Sequence, residues 1–371
     1  MKPFFFLCYN EDGDNMRNHG IDLLKIYAMF LIVALHYSNF GFKIRTIPTT
    51  SDYFILVWII FIFCFCCVNC YAIVTGYFYK NNKGSFNKFI KLWISVVFWL
   101  LLLGGIDYFQ GNIRKAELLK CLFPLIYDKY WYFTAYSFLL FLAPFYNKLI
   151  DSFSRKEFKS FLMVLLLFLS IINLPYHSLQ IGNATNVIWI STMYFIGAYI
   201  KKYEPLKEFK SFNLLKLLIF LLSFGLFSVL LFSNIDTKKL IISNTFLIDN
   251  NSSIIMVIIS IIYLELFKRI KITNKYLIGL IKNVSNATFG IYIIHMSNYI
   301  KSNYVVGKVR YLIHRPILLF YPKFLYYALA CFITCLILEL IRIKLFKILR
   351  VNELIDKILK KFNKCDKISN V

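Results

Sequence analysis

Residues 21–36 read IDLLKIYAMFLIVALH, an apolar run with an aspartate and a lysine near its start and a histidine at its end. Similar runs recur along all 371 residues, and each approaches the roughly 20 residues that a helix needs to cross a bilayer core. The chain is 59% hydrophobic and has a mean hydropathy of +0.63, more apolar than soluble domains are. The sequence therefore predicts an all-α polytopic integral membrane protein.

About ten segments are candidates for transmembrane helices, with lengths and composition that suit a membrane span. They are 21–41, 53–79, 92–110, 130–149, 161–176, 186–200, 212–233, 252–267, 286–301 and 324–343.

The charge distribution predicts how these helices are oriented. The net charge is +24, from 43 Lys and Arg against 19 Asp and Glu, and most basic residues lie in short segments on one side of the predicted spans. Positively charged loops favour the cytoplasmic side, so we expect both termini in the cytoplasm of a multi-pass protein of the inner or plasma membrane. The pattern does not indicate nucleic-acid binding. Segment 302–323 departs from the rule, because it holds several basic residues on the opposite side.

Three regions follow from this topology. Residues 1–20 form a cytoplasmic N-terminal segment, 21–343 the transmembrane domain, and 344–371 a basic cytoplasmic tail. In the tail, Ile348, Val351, Ile355 and Ile358 recur at helical spacing. A basic amphipathic helix of this kind is expected to lie on the anionic inner leaflet.

The motif CFCCVNC at 64–70 has the density of cysteines that a metal site would need. A zinc site requires thiolates in a fixed tetrahedron, an arrangement that one face of a lipid-embedded helix does not favour. We interpret these cysteines as small apolar side chains that remain reduced, and we expect no metal.

The opening stretch places ionisable side chains on one helix face. Lys25 and His36 are eleven residues apart, which is just over three helical turns and about 16 Å of rise. Asp22 lies three residues before Lys25 and shares the face. In one interpretation Lys25 extends to the membrane surface and His36 makes a hydrogen bond between helices. In the other, His36 is a general base at the end of a shaft, and Lys25 binds the phosphates of an elongated anionic co-substrate.

Gly20 to His36 resembles the first span of the membrane-bound acyltransferase 3 family, which has an isoleucine–aspartate pair, a basic residue, ten residues and a histidine. Four later stretches resemble that family in the same order: AIVTGYFYK (72–80), WYFTAYSFLLFLAP (131–144), MYFIGAYIKK (193–202) and SNATFGIYIIH (285–295). The resemblance covers about 18–345. Lysine replaces the usual arginine at Lys25, Lys88 and Lys91, and Thr75 replaces the usual serine.

The resemblance implies transfer of an acyl group, most often acetyl from acetyl-coenzyme A, to a hydroxyl of a carbohydrate or another envelope acceptor. The implied partners are acyl-coenzyme A, a carbohydrate or lipid-linked saccharide, and membrane lipids. The implied site residues are His36, Asp22 and His295 for catalysis, Lys25, Lys88 and Lys91 for coenzyme A, and Trp131 and Tyr132 for the sugar.

Structural roles remain open for most of these residues. Asp22 is also a candidate for ordering the helix start, and His295 for simple packing between helices. Lys88 and Lys91 are also candidates for ordinary lysines of the cytoplasmic side. Trp131 and Tyr132 are also candidates for the belt of aromatic residues found at membrane interfaces.

Three other functions share the predicted topology. A transporter or flippase of lipid-linked saccharides would move its substrate without needing an acyl donor. A polysaccharide polymerase usually has a large external loop, which this sequence lacks. A structural or sensory membrane protein would tolerate the loss of His36.

Overall fold

A computed structural model describes residues 17–81, 86–172, 186–233 and 251–368. Within these ranges every regular element is helical. The α-helices, numbered α1 to α14 in chain order, are His19–His36, Tyr53–Phe65, Cys67–Tyr77, Phe86–Phe109, Lys115–Lys120, Trp131–Ser152, Arg155–Leu166, Val187–Tyr203, Ser211–Ser233, Ile254–Lys268, Lys275–His295, Asn298–Ile300, Ile317–Ile348 and Val351–Ile368. Short π-helices extend α1 at Tyr37–Gly41, α7 at Leu167–Ile172 and α12 at Lys301–Val305.

Six helical segments in the described ranges are long and apolar enough to cross a membrane. They are His19–Thr46, Tyr53–Tyr77, Phe86–Phe109, Ser211–Leu231, Lys275–His295 and Ile317–Ile348. The other four predicted segments coincide with α6, with α7 and its π-helix, with α8 and with α10, which are shorter or more polar. The all-helical, multi-pass architecture is confirmed, while the number ten and the side of the termini stay predictions.

Helix α1 lies at the centre of the helices. Its apolar stretch is 72% buried inside the protein, against 28% for those of α9 and α13, which face outward. The Asn18 side chain accepts a hydrogen bond from the Ile21 amide and caps the start of α1, which satisfies one of the free amides of the first turn. A central position explains how α1 can carry polar side chains without exposing them to lipid.

Helices α3 and α8 pack at backbone distance because a glycine of each faces the other. A Cβ added at Gly76 would lie 1.9 Å from the Tyr194 carbonyl oxygen, and one added at Gly197 would lie 2.1 Å from the Ile73 carbonyl oxygen. Small residues allow this close packing of membrane helices.

A buried ion pair joins α13 to α4. Glu339 and Arg342 are both about 2% exposed or less, and Arg342 donates from Nε and Nη2 to the Glu339 carboxylate at 2.9 and 2.5 Å. The Trp99 indole donates to Glu339 at 2.7 Å, and Arg342 donates to the Ser95 hydroxyl at 3.2 Å. Each charge therefore has its counter-charge and an additional hydrogen-bond partner inside the protein.

The described part of the C-terminal tail includes α14, Val351–Ile368, which contacts α4. The Asp356 carboxylate on α14 pairs with Lys91 at 2.6 Å and accepts a hydrogen bond from Asn87 at 2.7 Å, both on α4. Helix α13 runs unbroken through residue 343 to Ile348, so the predicted domain boundary falls inside a helix. Of the predicted N-terminal segment, 1–16 lie outside the described residues.

Candidate active site

A cavity of about 850 Å³ lies between α1, α3, α6 and α11. Lys25, Met29, Ile32 and His36 line it from α1, at steps of four, three and four residues. This spacing follows one face of an α-helix. The predicted common face of Lys25 and His36 is therefore the wall of one cavity.

His36 and His295 meet at the far end of this cavity from Lys25. Each is the last residue of its helix, α1 and α11. His36 Nδ1 lies 2.8 Å from His295 Nε2, and His295 Nδ1 lies 2.7 Å from the Ile291 carbonyl oxygen. His295 is fully buried, whereas His36 keeps part of its surface and lines the cavity.

These two distances determine where the protons lie when both rings are neutral. A carbonyl oxygen only accepts, so His295 Nδ1 carries a proton and donates it to Ile291. His295 Nε2 then holds a lone pair and accepts the Nδ1 proton of His36. In the described part of the chain no group hydrogen-bonds to His36 Nε2, whose lone pair remains available. An imidazole with its other nitrogen held this way has the arrangement that a general base needs.

Aromatic side chains form the wall that faces these histidines. Trp131, Tyr132 and Tyr136 line the cavity from α6, and Tyr292 lines it from α11. The Tyr132 ring stacks on Tyr136 at 6.3 Å and packs edge-on against Trp131 at 5.5 Å. Tyr292 packs edge-on against His295 with ring centroids 6.2 Å apart. Trp131 and Tyr132 thus lie in the cavity that holds Lys25 and His36.

A compact charged cluster lies at the start of α1. Asp22 is fully buried and accepts two hydrogen bonds from the Arg17 guanidinium, at 2.6 and 3.1 Å. Lys25 Nζ lies 3.6 Å from the same carboxylate, and the Ser285 hydroxyl donates to it at 3.1 Å. With two cations around one carboxylate, this end of the cavity carries net positive charge.

The expectation that Asp22 takes part in catalysis is not supported by its position. It precedes His36 by fourteen residues, which is about 21 Å along a helix. It contacts Arg17, Lys25 and Ser285 instead, so its carboxylate lies between the two cations, and a part in catalysis stays a prediction. Sequence reasoning missed Arg17, although a basic residue five positions before Asp22 was visible in the sequence.

Lys88 and Lys91 do not line the cavity. Both lie near the start of α4, and Lys91 makes the ion pair with Asp356 of the tail described above. Thr75 does line the cavity, and its hydroxyl donates to the Tyr71 carbonyl oxygen at 3.1 Å.

Two features bear on a metal site. Cys64, Cys66, Cys67 and Cys70 are all buried free thiols. Within the described ranges, no group of three or more His, Cys, Asp or Glu is arranged to hold a metal ion.

A comparison with protein-family models identifies the family of this chain. The model of the acyltransferase 3 family, described as an acyltransferase domain, matches residues 18–341. No curated protein and no solved structure matches the chain. The matched range begins at the cap of α1 and includes the paired histidines, the aromatic wall and the charged cluster apart from Arg17, which precedes it by one residue. The chain belongs to the acyltransferase 3 family and is a membrane acyltransferase.

Proposed function

We propose that this protein transfers an acetyl group from acetyl-coenzyme A to a hydroxyl of a cell-envelope saccharide. The observation that carries the proposal is the pairing of His36 with His295 at one end of a cavity that Lys25 lines at the other end, where Arg17 and Lys25 share the Asp22 carboxylate. Family membership supports acyl transfer over transport or a purely structural role.

The proposed donor binds with its phosphates at the charged cluster and its thioester toward the histidines. Lys25 and Arg17 provide the positive charge, and Asp22 holds both in place. The spacing of Lys25 and His36, about 16 Å of helix, suits an elongated donor. We do not assign this role to Lys91, because its ammonium pairs with Asp356.

In the proposed reaction, His36 Nε2 removes the proton from the acceptor hydroxyl as the oxygen attacks the thioester carbonyl carbon. The tetrahedral intermediate collapses with cleavage of the carbon–sulfur bond. The coenzyme A sulfur leaves with the proton returned from His36, and the acceptor keeps the acyl group as an ester. His295 holds the His36 ring throughout, since its Nε2 accepts the Nδ1 proton, as in other oriented imidazole bases.

The proposed topology has ten spans, with both termini in the cytoplasm of a plasma or inner-membrane protein. Its support is that every predicted segment falls largely on helices where the structure describes it, residues 173–176 lying outside the described ranges, and that basic loops favour the cytoplasm. The donor then enters from the cytoplasm and the acyl group reaches the outer half of the membrane. There an exported or lipid-linked saccharide is the proposed acceptor, with Trp131 and Tyr132 as its stacking surface.

The test uses membrane vesicles that contain the wild type or a variant, radiolabelled acetyl-coenzyme A and envelope glycans of the host. We expect label in an alkali-labile ester with the wild type. His36→Ala should reduce the rate by about 10²- to 10⁴-fold, the usual contribution of a general base. Lys25→Ala should raise the KM for acetyl-coenzyme A about tenfold or more, because it removes a charged contact.

Two exposed residues provide matched controls. His314→Ala removes an exposed histidine and Lys159→Ala an exposed lysine, and both should retain wild-type rates. Equal rates of acyl transfer by His36→Ala and the wild type would disprove the role of His36 as the general base. Saccharide movement across the membrane without ester formation would support a transporter instead.

A further inference from the structure

The region beyond His36 is strongly positive although it lies at the opposite end of the protein from the basic loops. Segments 37–52 and 296–316 contain six Lys and Arg residues and one carboxylate, Asp52. The two segments pack together, since the Gly307 amide donates to the Phe40 carbonyl oxygen at 3.1 Å. Basic residues are normally concentrated on the cytoplasmic side, so this concentration calls for a separate explanation.

A second cavity, an open cleft of about 420 Å³, lies within this region. The side chains that line it are those of Asn39, Phe40, Lys43, Arg45, Thr46 and Val306.

Phe40 connects this cleft to the catalytic pair. Its ring lies 5.7 Å from the His36 ring, and the Lys301 ammonium lies 4.0 Å from its centroid. Phe40 therefore lines the cleft and packs near the His36 ring. A molecule bound in the cleft would have to reach past the Phe40 ring to bring a hydroxyl to His36.

The backbone at Lys43 is held in an uncommon conformation that gives the cleft its shape. Lys43 has φ = 55°, a left-handed conformation that is uncommon for residues other than glycine. Its carbonyl oxygen accepts hydrogen bonds from the Thr46 amide at 2.8 Å and the Thr46 hydroxyl at 2.9 Å. Arg310 donates to that hydroxyl at 2.8 Å and ties the turn to the second segment. Strained backbone of this kind is concentrated at functional sites.

The charge of Lys43 is available to a ligand. The side chain is exposed, and in the described ranges no carboxylate lies within ion-pair distance of it. Arg45, beside it, has a planar guanidinium that matches the two oxygens of a phosphate or carboxylate. The cleft is thus lined by two cations and an aromatic face.

We propose that this cleft binds an oxyanion of the acyl acceptor, a phosphate or carboxylate close to the hydroxyl that is acylated. The acceptor class is accordingly an acidic saccharide or a saccharide phosphate. This proposal rests on the acyltransferase function proposed above. It adds the acceptor subsite and its charge, with Lys43 and Arg45 as specificity-determining residues.

The first test measures binding, so that it is independent of acyl transfer. The full chain is placed in nanodiscs of phosphatidylcholine and titrated with tetragalacturonic acid, a glycerol phosphate oligomer and neutral galactotetraose. We expect the wild type to bind one of the acidic probes at least tenfold more tightly than the neutral one. Lys43→Gln/Arg45→Gln should lose that preference, whereas Lys308→Gln, an exposed lysine in the same region outside the cleft, should keep it.

The second test measures transfer from acetyl-coenzyme A to the acidic and neutral acceptors. The Lys43→Gln/Arg45→Gln variant should raise the KM for an acidic acceptor about tenfold or more and leave the KM for acetyl-coenzyme A unchanged. If the wild type transfers nothing to any acceptor but binds the acidic probe through Lys43 and Arg45, the function proposal fails and the anion site stands.

Two results would overturn the anion site. One is equal affinity of the wild type for acidic and neutral probes. The other is a preference for phosphatidylglycerol over phosphatidylcholine that the Lys43→Gln/Arg45→Gln variant loses, with no effect on saccharide binding. That second result would identify the cleft as a lipid headgroup site.

Discussion

Replacing His295 tests whether one histidine fixes the tautomer of the other. His295→Phe keeps a ring of similar shape between α1 and α11 but removes the nitrogen that accepts from His36. His36 Nδ1–H then loses its partner 2.8 Å away. The catalytic lone pair on Nε2 depends on that proton staying on Nδ1, so the variant should lower kcat without changing the KM for the acyl donor.

The size of the effect follows from the lost hydrogen bond. A buried donor left without a partner costs about 1–3 kcal/mol, which corresponds to about 5- to 150-fold in the population of the competent His36 ring. Removal of the base itself, as in His36→Ala, should lower the rate of acyl transfer by about 10²- to 10⁴-fold. We therefore expect His295→Phe to be impaired less than His36→Ala. The double variant should be no slower than His36→Ala, because groups that act as one unit are not additive.

The assay is steady-state acetyl transfer by purified protein, with thermal unfolding measured in parallel. His295→Gln is the matched control, since its side-chain oxygen can accept from His36 in place of Nε2. It should recover most of the activity that His295→Phe loses. Wild-type kcat in His295→Phe would refute the reasoning. The reasoning would also be refuted if kcat of the double variant fell by the product of the two single-variant decreases.

Three further predictions concern stability and donor binding. Gly76→Ala should lower Tm, because the added Cβ meets backbone of the facing helix, whereas Gly105→Ala, with nothing within 4 Å, should leave Tm unchanged or raise it. Glu339→Leu should lower the free energy of unfolding by about 3–5 kcal/mol by leaving a buried guanidinium unpaired; Glu339→Leu/Arg342→Leu should lose less, and an equal loss would contradict this account. Asp22→Asn should raise the KM for acetyl-coenzyme A in transfer assays, because the two cations beside it lose their shared carboxylate, and an unchanged KM would argue against the charged cluster as the donor site.

The common face of Lys25 and His36 was predictable from the sequence because it depends on the helical period alone. Eleven residues return the chain to the same face whatever surrounds it. The contact between His36 and His295 was not predictable in this way. It depends on α1 and α11 running parallel and side by side, and the packing of two helices 259 residues apart in sequence has no local signal. The resemblance to a known family supplied His295 as a candidate, but not the hydrogen bond.

The different roles of the three lysines could not be predicted from the sequence. Lys25, Lys88 and Lys91 are indistinguishable as basic residues near predicted helix starts, and positive-inside patterning gives no way to separate them. The structure separates them because Lys25 faces the cavity while Lys91 pairs with Asp356 on a helix that follows in sequence by more than 200 residues. Likewise, the grouping of Arg17 with Asp22 requires the turn that precedes α1.

The buried pair on α13 has a consequence for anyone who shortens this protein. The family match ends at residue 341, and Arg342 is the next residue. A chain trimmed to the matched range would leave Glu339 and Ser95 without the guanidinium they share, and the Trp99 indole bonded to a carboxylate that has lost its cation. It would also lack the helix that neutralises Lys91. The segment that matches the family model is thus shorter than the segment whose contacts hold these buried and paired charges.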